Sequence, residues 1–216
     1  MKRPWRGEMP LAVTLPLSLE RRPRARQRLL RRMAIAALVV LGAVLLAAGI
    51  WLPAKAELAQ QLLNRAWTGT AESGGGGVRP WPWADTWPVA RLTLPGARAP
   101  LTVLAGASGR TLAFGPALMD GSALPGTPGV SVIAGHRDTH FRSLAHLAIG
   151  HEFTLERPDG SVYTYEVTAL DVIDSERAML RLDADESFVA LVTCWPFDAV
   201  TVGGNWRYVV TGRLRF

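Results

Sequence analysis

The sequence has little of the side chains that most often carry chemistry or cross-link a chain. Its 216 residues contain one cysteine, Cys194, and four histidines, all between residues 136 and 151. A single cysteine cannot form an internal disulfide, so it is a small buried side chain, an incidental one or a reactive thiol. A folded basic face is also missing, because residues 1–32 carry a net charge of +8 and the remaining 184 residues carry −2. This distribution argues against a nucleic-acid-binding domain.

Charged residues are absent from residues 33–52. Twenty apolar residues in a helix span a hydrocarbon core of about 30 Å, so this stretch predicts a transmembrane anchor. Seven arginines in residues 21–32 predict that the basic arm, residues 1–32, is cytoplasmic and that the chain after Trp51 is outside. A cleaved signal peptide is the alternative. Its apolar region is usually about 7–15 residues long and ends at small residues, whereas this one runs into Trp-Leu-Pro.

Two short segments separate the anchor from the rest of the chain. Residues 53–67 predict a stalk helix, since apolar side chains recur at helical spacing at Leu58, Leu62 and Trp67. Residues 68–88 predict a linker, whose four consecutive glycines form a hinge and not a phosphate loop, because no Gly-Lys-Ser/Thr follows them. Its tryptophans alternate with prolines. They either pack on the folded domain or contact the membrane interface or a ligand groove.

The remaining residues, 89–216, predict an all-β domain. Short β-prone runs, separated by Gly and Pro, occupy residues 89–94, 101–104, 111–114, 129–135, 152–156, 161–173, 188–194 and 205–216. In the longest run, four apolar or aromatic side chains alternate with polar ones: Tyr163, Tyr165, Val167 and Ala169. Asp159-Gly160 predicts a tight hairpin. About eight such strands without an internal repeat predict a barrel or a sandwich.

Three side chains lie at predicted strand ends and share a chemical logic. Cys194 and His136 each end a strand, and Arg207 begins the last strand, on the face opposite Tyr208 and Val210. The nucleophilic form of cysteine is the thiolate, which nearby positive charge favours. Histidine supplies a proton near neutral pH. Arginine can donate hydrogen bonds to the oxyanion that forms when a carbonyl is attacked.

These motifs resemble the sortase family, which consists of membrane-anchored cysteine transpeptidases built on an eight-stranded β-barrel. The resemblance rests on "VIAGHRDTHF" (132–141), "LVTCWP" (191–196) and Arg207, thirteen residues after Cys194. The form "GHRDTHF" is similar to the class D-like branch, and "PWPWADTWPVARL" is similar to the Gram-negative subgroup called class GN. The resemblance covers residues 53–216. It implies a fold of an eight-stranded sortase-type β-barrel after an N-terminal transmembrane helix and a short helical stalk.

The resemblance also implies a function and a location. Cys194 is expected to form a thioester with a Leu-Pro-x-Thr-Gly-like C-terminal signal of an exported protein, with His136 as acid and base and Arg207 at the oxyanion. An amine acceptor in the cell envelope then takes the protein. Thr193 and Trp195 are expected to shape the substrate groove, because they adjoin Cys194. The domain is expected to be periplasmic, tethered in the lipid of the inner membrane, with no metal, other cofactor or nucleic acid.

Two local features depart from the family pattern or imitate its substrate. Relatives commonly have Gly-Asp after the histidine loop, whereas this chain has Gly150-His151, which we expect to be a turn. The Leu-Pro-Gly-Thr stretch at 124–127 lies inside the domain with no apolar tail after it. We interpret it as the loop before the strand of His136 and not as a sorting signal.

Three other functions remain open from the residues. His136, Asp138 and His140, with His146 and His151 nearby, have the spacing of metal ligands, although a loop does not present them as a helix would. A peptidoglycan cross-linking cysteine transpeptidase is a second alternative, but its Ser-His-Gly-Cys context is absent. A third is a tethered β-domain without catalysis, used for binding or scaffolding, in which Cys194 is a buried core residue.

Overall fold

The computed structural model describes residues 23–97, 99–179, 181–199 and 203–215. The chain divides into two compact units, residues 1–52 and residues 53–216. Helix α1 (Pro23–Glu72) contributes its first part to one unit and its second part to the other. Most of the predicted cytoplasmic arm, residues 1–22, lies outside the described residues.

The described part of the first unit is helical and apolar. Its large hydrophobic side chains are exposed, and α1 is long and apolar enough to cross a membrane. This agrees with the length and composition that predict an anchor at residues 33–52.

The second unit contains a closed eight-stranded β-barrel, which confirms the predicted fold class. Its strands are β1 (Pro88–Thr93), β2 (Leu101–Ala105), β3 (Ala117–Leu118), β4 (Gly129–Ala134), β5 (Glu152–Glu156), β6 (Val162–Asp174), β7 (Ser187–Cys194) and β8 (Trp206–Leu214). Around the barrel the order is β1-β2-β3-β4-β7-β8-β6-β5. Two pairs are parallel, β2 with β3 and β4 with β7, and the others are antiparallel.

Seven of the eight predicted runs are strands, and the run at residues 111–114 is not. That segment overlaps a short helix, α2 (Gly109–Leu112), which begins where the Ser108 side chain accepts a hydrogen bond from the Thr111 amide. Its apolar residues pack on a cluster around Leu104 instead of pairing with a strand. The eighth strand is β3, whose two residues carry no readable alternation.

The barrel interior is filled by side chains of alternate residues from each strand. Ile133 of β4, Leu191 of β7 and Val210 of β8 belong to this core. In β6 the predicted alternation holds as far as Val167. A register shift between Val167 and Ala169 then places Leu170, and not Ala169, against the core.

The last turns of α1 belong to the barrel's packing. Leu63 is buried in a cluster with Leu104 and Ala117, and Ala66, Trp67 and Thr70 are also buried. The guanidinium of Arg91 on β1 lies 4.7 Å from the centre of the Trp67 ring. The helix thus continues beyond the predicted end of the stalk, and its C-terminal part covers one side of the barrel.

The tryptophan-rich segment follows this helix and packs in part on the barrel. Trp81 meets the ring of Phe114 edge-on at 4.9 Å between centroids. Trp83 is 83% exposed. Both side chains line an apolar cleft of about 640 Å³, whose other wall includes Leu58 and Leu62 of α1. One predicted role, packing on the domain, therefore applies to Trp81, while Trp83 stays open to solvent.

The turns predicted from glycine-containing pairs are present. Gly160, with φ of 82°, lies in the connection between β5 and β6, where the Ser161 amide donates to the Asp159 carboxylate. The Leu-Pro-Gly-Thr stretch forms the loop before β4, as expected. Its Gly126 amide donates to the hydroxyl of Tyr165 at 2.8 Å, and a Cβ at Gly126 would lie 2.2 Å from the Tyr163 ring.

Candidate active site

The parallel pairing of β4 with β7 brings His136 beside Cys194. Ala134 pairs with Val192, and the ladder continues one step further through a 3.0 Å hydrogen bond from the Gly135 amide to the Val192 carbonyl. His136 lies two residues beyond Ala134, and Cys194 lies two residues beyond Val192. The strand register therefore places these two predicted site residues at equivalent positions on neighbouring strands.

Arg207 lies directly across from Cys194 on the other side of β7. The two residues are Cα partners in the antiparallel β7–β8 pair, and such partners have Cα atoms about 4.5–5.5 Å apart. The Arg207 Nη1 atom donates to the carbonyls of Gly204 at 2.7 Å and Trp206 at 2.9 Å. These bonds fix the guanidinium close to the start of β8.

Strand alternation gives Cys194 and Arg207 the parity of the outer face of the sheet, and His136, two residues beyond the end of β4, continues the same parity. Val132, Ala190 and Val209 form a cluster separate from the barrel core. Cys194 is four residues after Ala190, His136 is four residues after Val132, and Arg207 is two residues before Val209, so each has the parity of this outer face. Cys194 is half-buried and His136 is exposed. The thiol is thus outside the barrel core, where a purely structural cysteine would be enclosed.

Thr193 points to the opposite face and has a structural role. Its side chain is 2% exposed, and its hydroxyl donates a 2.7 Å hydrogen bond to the Gly135 carbonyl. Period-two alternation turns the Thr193 side chain away from that of Cys194, and the expectation that Thr193 shapes the substrate groove stays a prediction. This hydrogen bond connects Thr193, the residue before Cys194, to Gly135, the residue before His136.

An aromatic cluster adjoins Cys194. Trp195 stacks on Tyr208, with 5.6 Å between ring centroids and 23° between ring planes, and meets Phe197 edge-on. Burial raises the pKa of Tyr208 above its ordinary value. Trp195 keeps about a third of its surface exposed. It is therefore placed to contact a ligand beside the thiol.

Arg137 is a site residue that the sequence reasoning missed. The residue follows His136, yet its side chain is only 7% exposed. Its Nη1 atom donates to the Pro196 carbonyl at 2.5 Å, and Nη2 donates to the Ala199 carbonyl at 3.0 Å. Its Nε atom donates to the Asp138 carboxylate at 3.0 Å. The signal available in the sequence was an arginine beside His136 in the loop, but nothing there showed that it is buried.

The other histidines have surroundings of their own. Burial, and then the charge of His136, lower the pKa of His140. The His151 ring accepts a hydrogen bond from the Ala148 amide at 3.3 Å. It follows Gly150, which has a positive φ, so Gly150-His151 lies in a turn, as we expected. Across residues 23–97, 99–179, 181–199 and 203–215, no three His, Cys, Asp or Glu side chains are grouped to hold a metal ion.

Comparison with known proteins places the barrel in one family. The family model for the Sortase domain matches residues 92–215. Sortase D from Bacillus subtilis (strain 168) is 30% identical over 125 residues, which are 56% of this chain and 61% of that protein. The chain therefore spans about three fifths of the length of that relative.

Solved structures show the same barrel. Sortase A from Corynebacterium diphtheriae superposes with a TM-score of 0.55 and 28% identity, covering 62% of this chain and 63% of that chain. Sortase C-1 from Actinomyces oris gives a TM-score of 0.52 and 32% identity, covering 59% and 74%. A Clostridium perfringens Sortase D5 transpeptidase, at 20% identity, shares the fold with a TM-score of 0.59, covering 74% and 99%. With a domain match over more than half of its length and a class D relative, this chain belongs to the sortase family.

Proposed function

We propose that this chain is a cysteine transpeptidase that acts on exported proteins carrying a Leu-Pro-x-Thr-Gly-like C-terminal signal. The observation that supports this most directly is that Cys194 pairs with Arg207 across β7 and β8, while His136 follows the end of β4, the strand on the other side of β7. A thiol, an imidazole and a guanidinium are the groups that acyl transfer from a peptide requires. Membership of the sortase family supports the same chemistry.

In the first half-reaction Cys194 is the nucleophile. Its thiolate attacks a backbone carbonyl inside the signal, forming a bond between sulfur and carbon. Arg207 donates N–H groups to the oxygen, which carries negative charge in the tetrahedral intermediate. The carbon–nitrogen bond then breaks, and His136 gives its proton to the departing amine. The product is a thioester between Cys194 and the exported protein.

In the second half-reaction an amine of a cell-envelope component attacks the thioester. His136, now neutral, takes the proton from the attacking nitrogen. The carbon–sulfur bond breaks and the thiolate of Cys194 is restored. The exported protein is thereby joined to its acceptor through a new amide bond, with no cofactor required.

We place this reaction outside the inner membrane. Helix α1 is apolar enough to span the lipid bilayer, and the arginines at residues 21–32 favour a cytoplasmic N-terminus. The barrel is then periplasmic, as in the class GN subgroup that the tryptophan-rich segment resembles. Its partners are the exported substrate, the amine acceptor and the membrane lipid, without a nucleic acid. Trp195 is proposed to line the groove that holds the substrate.

A peptide-library assay tests the proposal. The detergent-solubilised full chain is incubated with Leu-Pro-x-Thr-Gly-like peptides and a short amine acceptor, and the products are identified by mass spectrometry. The wild-type chain is expected to yield cleaved and transferred peptide, together with a protein adduct on Cys194. Cys194→Ala and His136→Ala are expected to keep the fold and lose transfer.

Three results would contradict the proposal. If Cys194→Ala cleaved peptides at the wild-type rate, a thioester on Cys194 would be excluded from the mechanism. Activity of the wild type on muropeptides, with none on sorting peptides, would favour a peptidoglycan-directed enzyme. A thiol that resists alkylation in the folded protein, with no cleavage of either substrate, would favour the non-catalytic binding domain.

A further inference from the structure

Arg137 is a buried cation held between two loops. A guanidinium that loses its water needs replacement partners, since a buried unpaired charge is strongly unfavourable. Asp138, its charged partner, is 66% exposed. On the other side of the guanidinium, two N–H groups bind the carbonyls of Pro196 and Ala199. Both Nη atoms thus bind backbone carbonyls, while Nε at 3.0 Å and Nη2 at 3.5 Å also contact the Asp138 carboxylate.

These bonds join the two loops that leave the active site. Arg137 immediately follows His136, and Pro196 is the second residue after Cys194. On the opposite side of the same pair, Thr193 binds the Gly135 carbonyl. Side-chain to backbone hydrogen bonds therefore join the two segments on both sides of His136 and Cys194. The Thr193 bond lies just before these two residues, and the Arg137 bonds lie just after them.

These hydrogen bonds matter because the pairing between β4 and β7 ends just before His136 and Cys194. The last paired residues of β4 and β7 are Ala134 and Val192, so the strand ladder does not itself hold the residues that follow His136. The loop after His136 and the loop after Cys194 are instead joined by the hydrogen bonds from Arg137 to the carbonyls of Pro196 and Ala199. Loss of the Arg137 side chain would remove two hydrogen bonds that hold these loops together.

Arg137 also carries a positive charge near Cys194. The hydrogen bond to Asp138 raises the pKa of Arg137, and the negative charges of Asp138, Cys194 and Asp198 raise it further, against the effect of desolvation. The positive charge of Arg137 thus lies within electrostatic reach of Cys194. The same side chain therefore offers two separable contributions, a fixed geometry and a positive charge.

We propose that Arg137 is the positioning residue of this active site: its two-pronged contact with the carbonyls of Pro196 and Ala199 holds Cys194 in line with His136. It does so without touching the substrate. The proposal rests on the function proposed above, because alignment with His136 matters only if the imidazole transfers a proton. Lysine keeps the charge but cannot span both carbonyls in one plane, so Arg137→Lys separates the two contributions.

The test compares Arg137→Lys and Arg137→Met with wild type in the detergent-solubilised full chain. Turnover is expressed per alkylatable thiol in the fraction of protein that is folded, as measured by the thermal unfolding transition, because an unfolded chain also exposes its thiol. Misplacement of reacting groups by about 1 Å lowers turnover by up to about a hundredfold. We expect kcat per thiol to fall about 10- to 100-fold in both variants, with KM changed by less than about threefold.

A second measurement follows the reaction of Cys194 with iodoacetamide, a neutral reagent, at pH 7. Arg137→Met is expected to slow this reaction by about threefold, the size of a screened interaction between two charges, and Arg137→Lys to leave it near the wild-type rate. A role limited to overall stability would not produce a lysine variant with a normally reactive thiol and a low kcat. Arg213→Lys is the control, since Arg213 also makes a two-pronged contact, from Nε and Nη2 to the Glu186 carboxylate, near the other end of β8.

Unchanged kcat per thiol in Arg137→Lys would overturn the proposal. So would a loss that appears only in KM, or an equal loss in Arg213→Lys. Failure of the proposed function looks different, because the wild-type chain itself then transfers no peptide. In that case an unchanged alkylation rate in both Arg137 variants would show that the residue does not act on Cys194.

Discussion

Thr193 donates a 2.7 Å hydrogen bond from its hydroxyl to the carbonyl of Gly135, and both residues are buried. Thr193→Val keeps the shape of the side chain and removes the donor. A buried carbonyl without its partner costs about 1–3 kcal/mol, so we expect a lower free energy of unfolding and a lower turnover. Denaturant titration and peptide transfer measure the two effects. Thr193→Ser, which keeps the hydroxyl, should stay close to wild type, and equal behaviour of valine and serine would contradict the role given to the bond.

Gly135 is required because of the ring of Phe141. A Cβ at Gly135 would lie 2.7 Å from Cδ2 of that fully buried ring. The Phe141 amide donates to the His136 carbonyl at 3.0 Å, so a displaced ring also displaces the backbone of His136. We expect Gly135→Ala to destabilise the protein by about 1–3 kcal/mol and to lower turnover per folded molecule. Gly109→Ala is the control, since a Cβ there meets open space; equal effects of both substitutions on melting and transfer would refute the steric argument.

Removal of Arg207 should affect chemistry more than folding. Loss of one donor to an oxyanion typically raises the barrier by about 3–4 kcal/mol, so we expect Arg207→Ala to reduce kcat/KM a few hundredfold. Arg207→Lys should recover only part of this, because a point charge lacks the planar fork. Peptide transfer with the full chain measures the loss. Arg177→Ala, a largely exposed arginine paired with Asp174, is the comparison, and a less than threefold loss for Arg207→Ala would remove it from the mechanism.

The protein should lose stability in mild acid in part through His140. Burial and the neighbouring His136 lower its folded-state pKa, so the unfolded chain takes up this proton first. The penalty begins as the pH falls through the unfolded value of about 6.5 and levels off below the folded pKa. His140→Gln should therefore flatten the decline in unfolding free energy between about pH 7.5 and 5.5. His146→Gln, at an exposed site, serves as the control; an unchanged decline in His140→Gln would refute this contribution.

The sequence could predict the barrel because its strands are long enough to show a pattern. Seven runs alternate or are continuously apolar, and their order places Cys194 and His136 at strand ends. The residues around Thr111 have the composition of a strand, but Ser108 caps a helical turn there and Leu112 packs beside Leu63. That outcome depends on a helix some fifty residues earlier in the chain, which local periodicity does not contain.

The sequence indicated which residues could form the candidate site, but it did not predict what surrounds their side chains. Alternation placed Arg207 on the outer face, yet the same alternation, applied to Thr193, predicts that it points inward. Adjacency to Cys194 was a weaker guide than strand parity. The burial of Arg137 could not be inferred, because its partners are backbone carbonyls about sixty residues away.

Leu63 and Trp67 of α1 are buried within the barrel unit, which limits where α1 can be truncated without loss of stability. Burial of each large apolar side chain stabilises the fold by about 1.5–3 kcal/mol, and Arg91 also loses its contacts with Trp67 and Asn64 when that segment is removed. A soluble version that begins at residue 53 should melt cooperatively, whereas one that begins at residue 68 should melt at a clearly lower temperature or aggregate; equal melting temperatures would show that the helix contributes nothing. A protease that released the barrel from its proposed anchor with its stability intact would therefore have to cleave before Leu63.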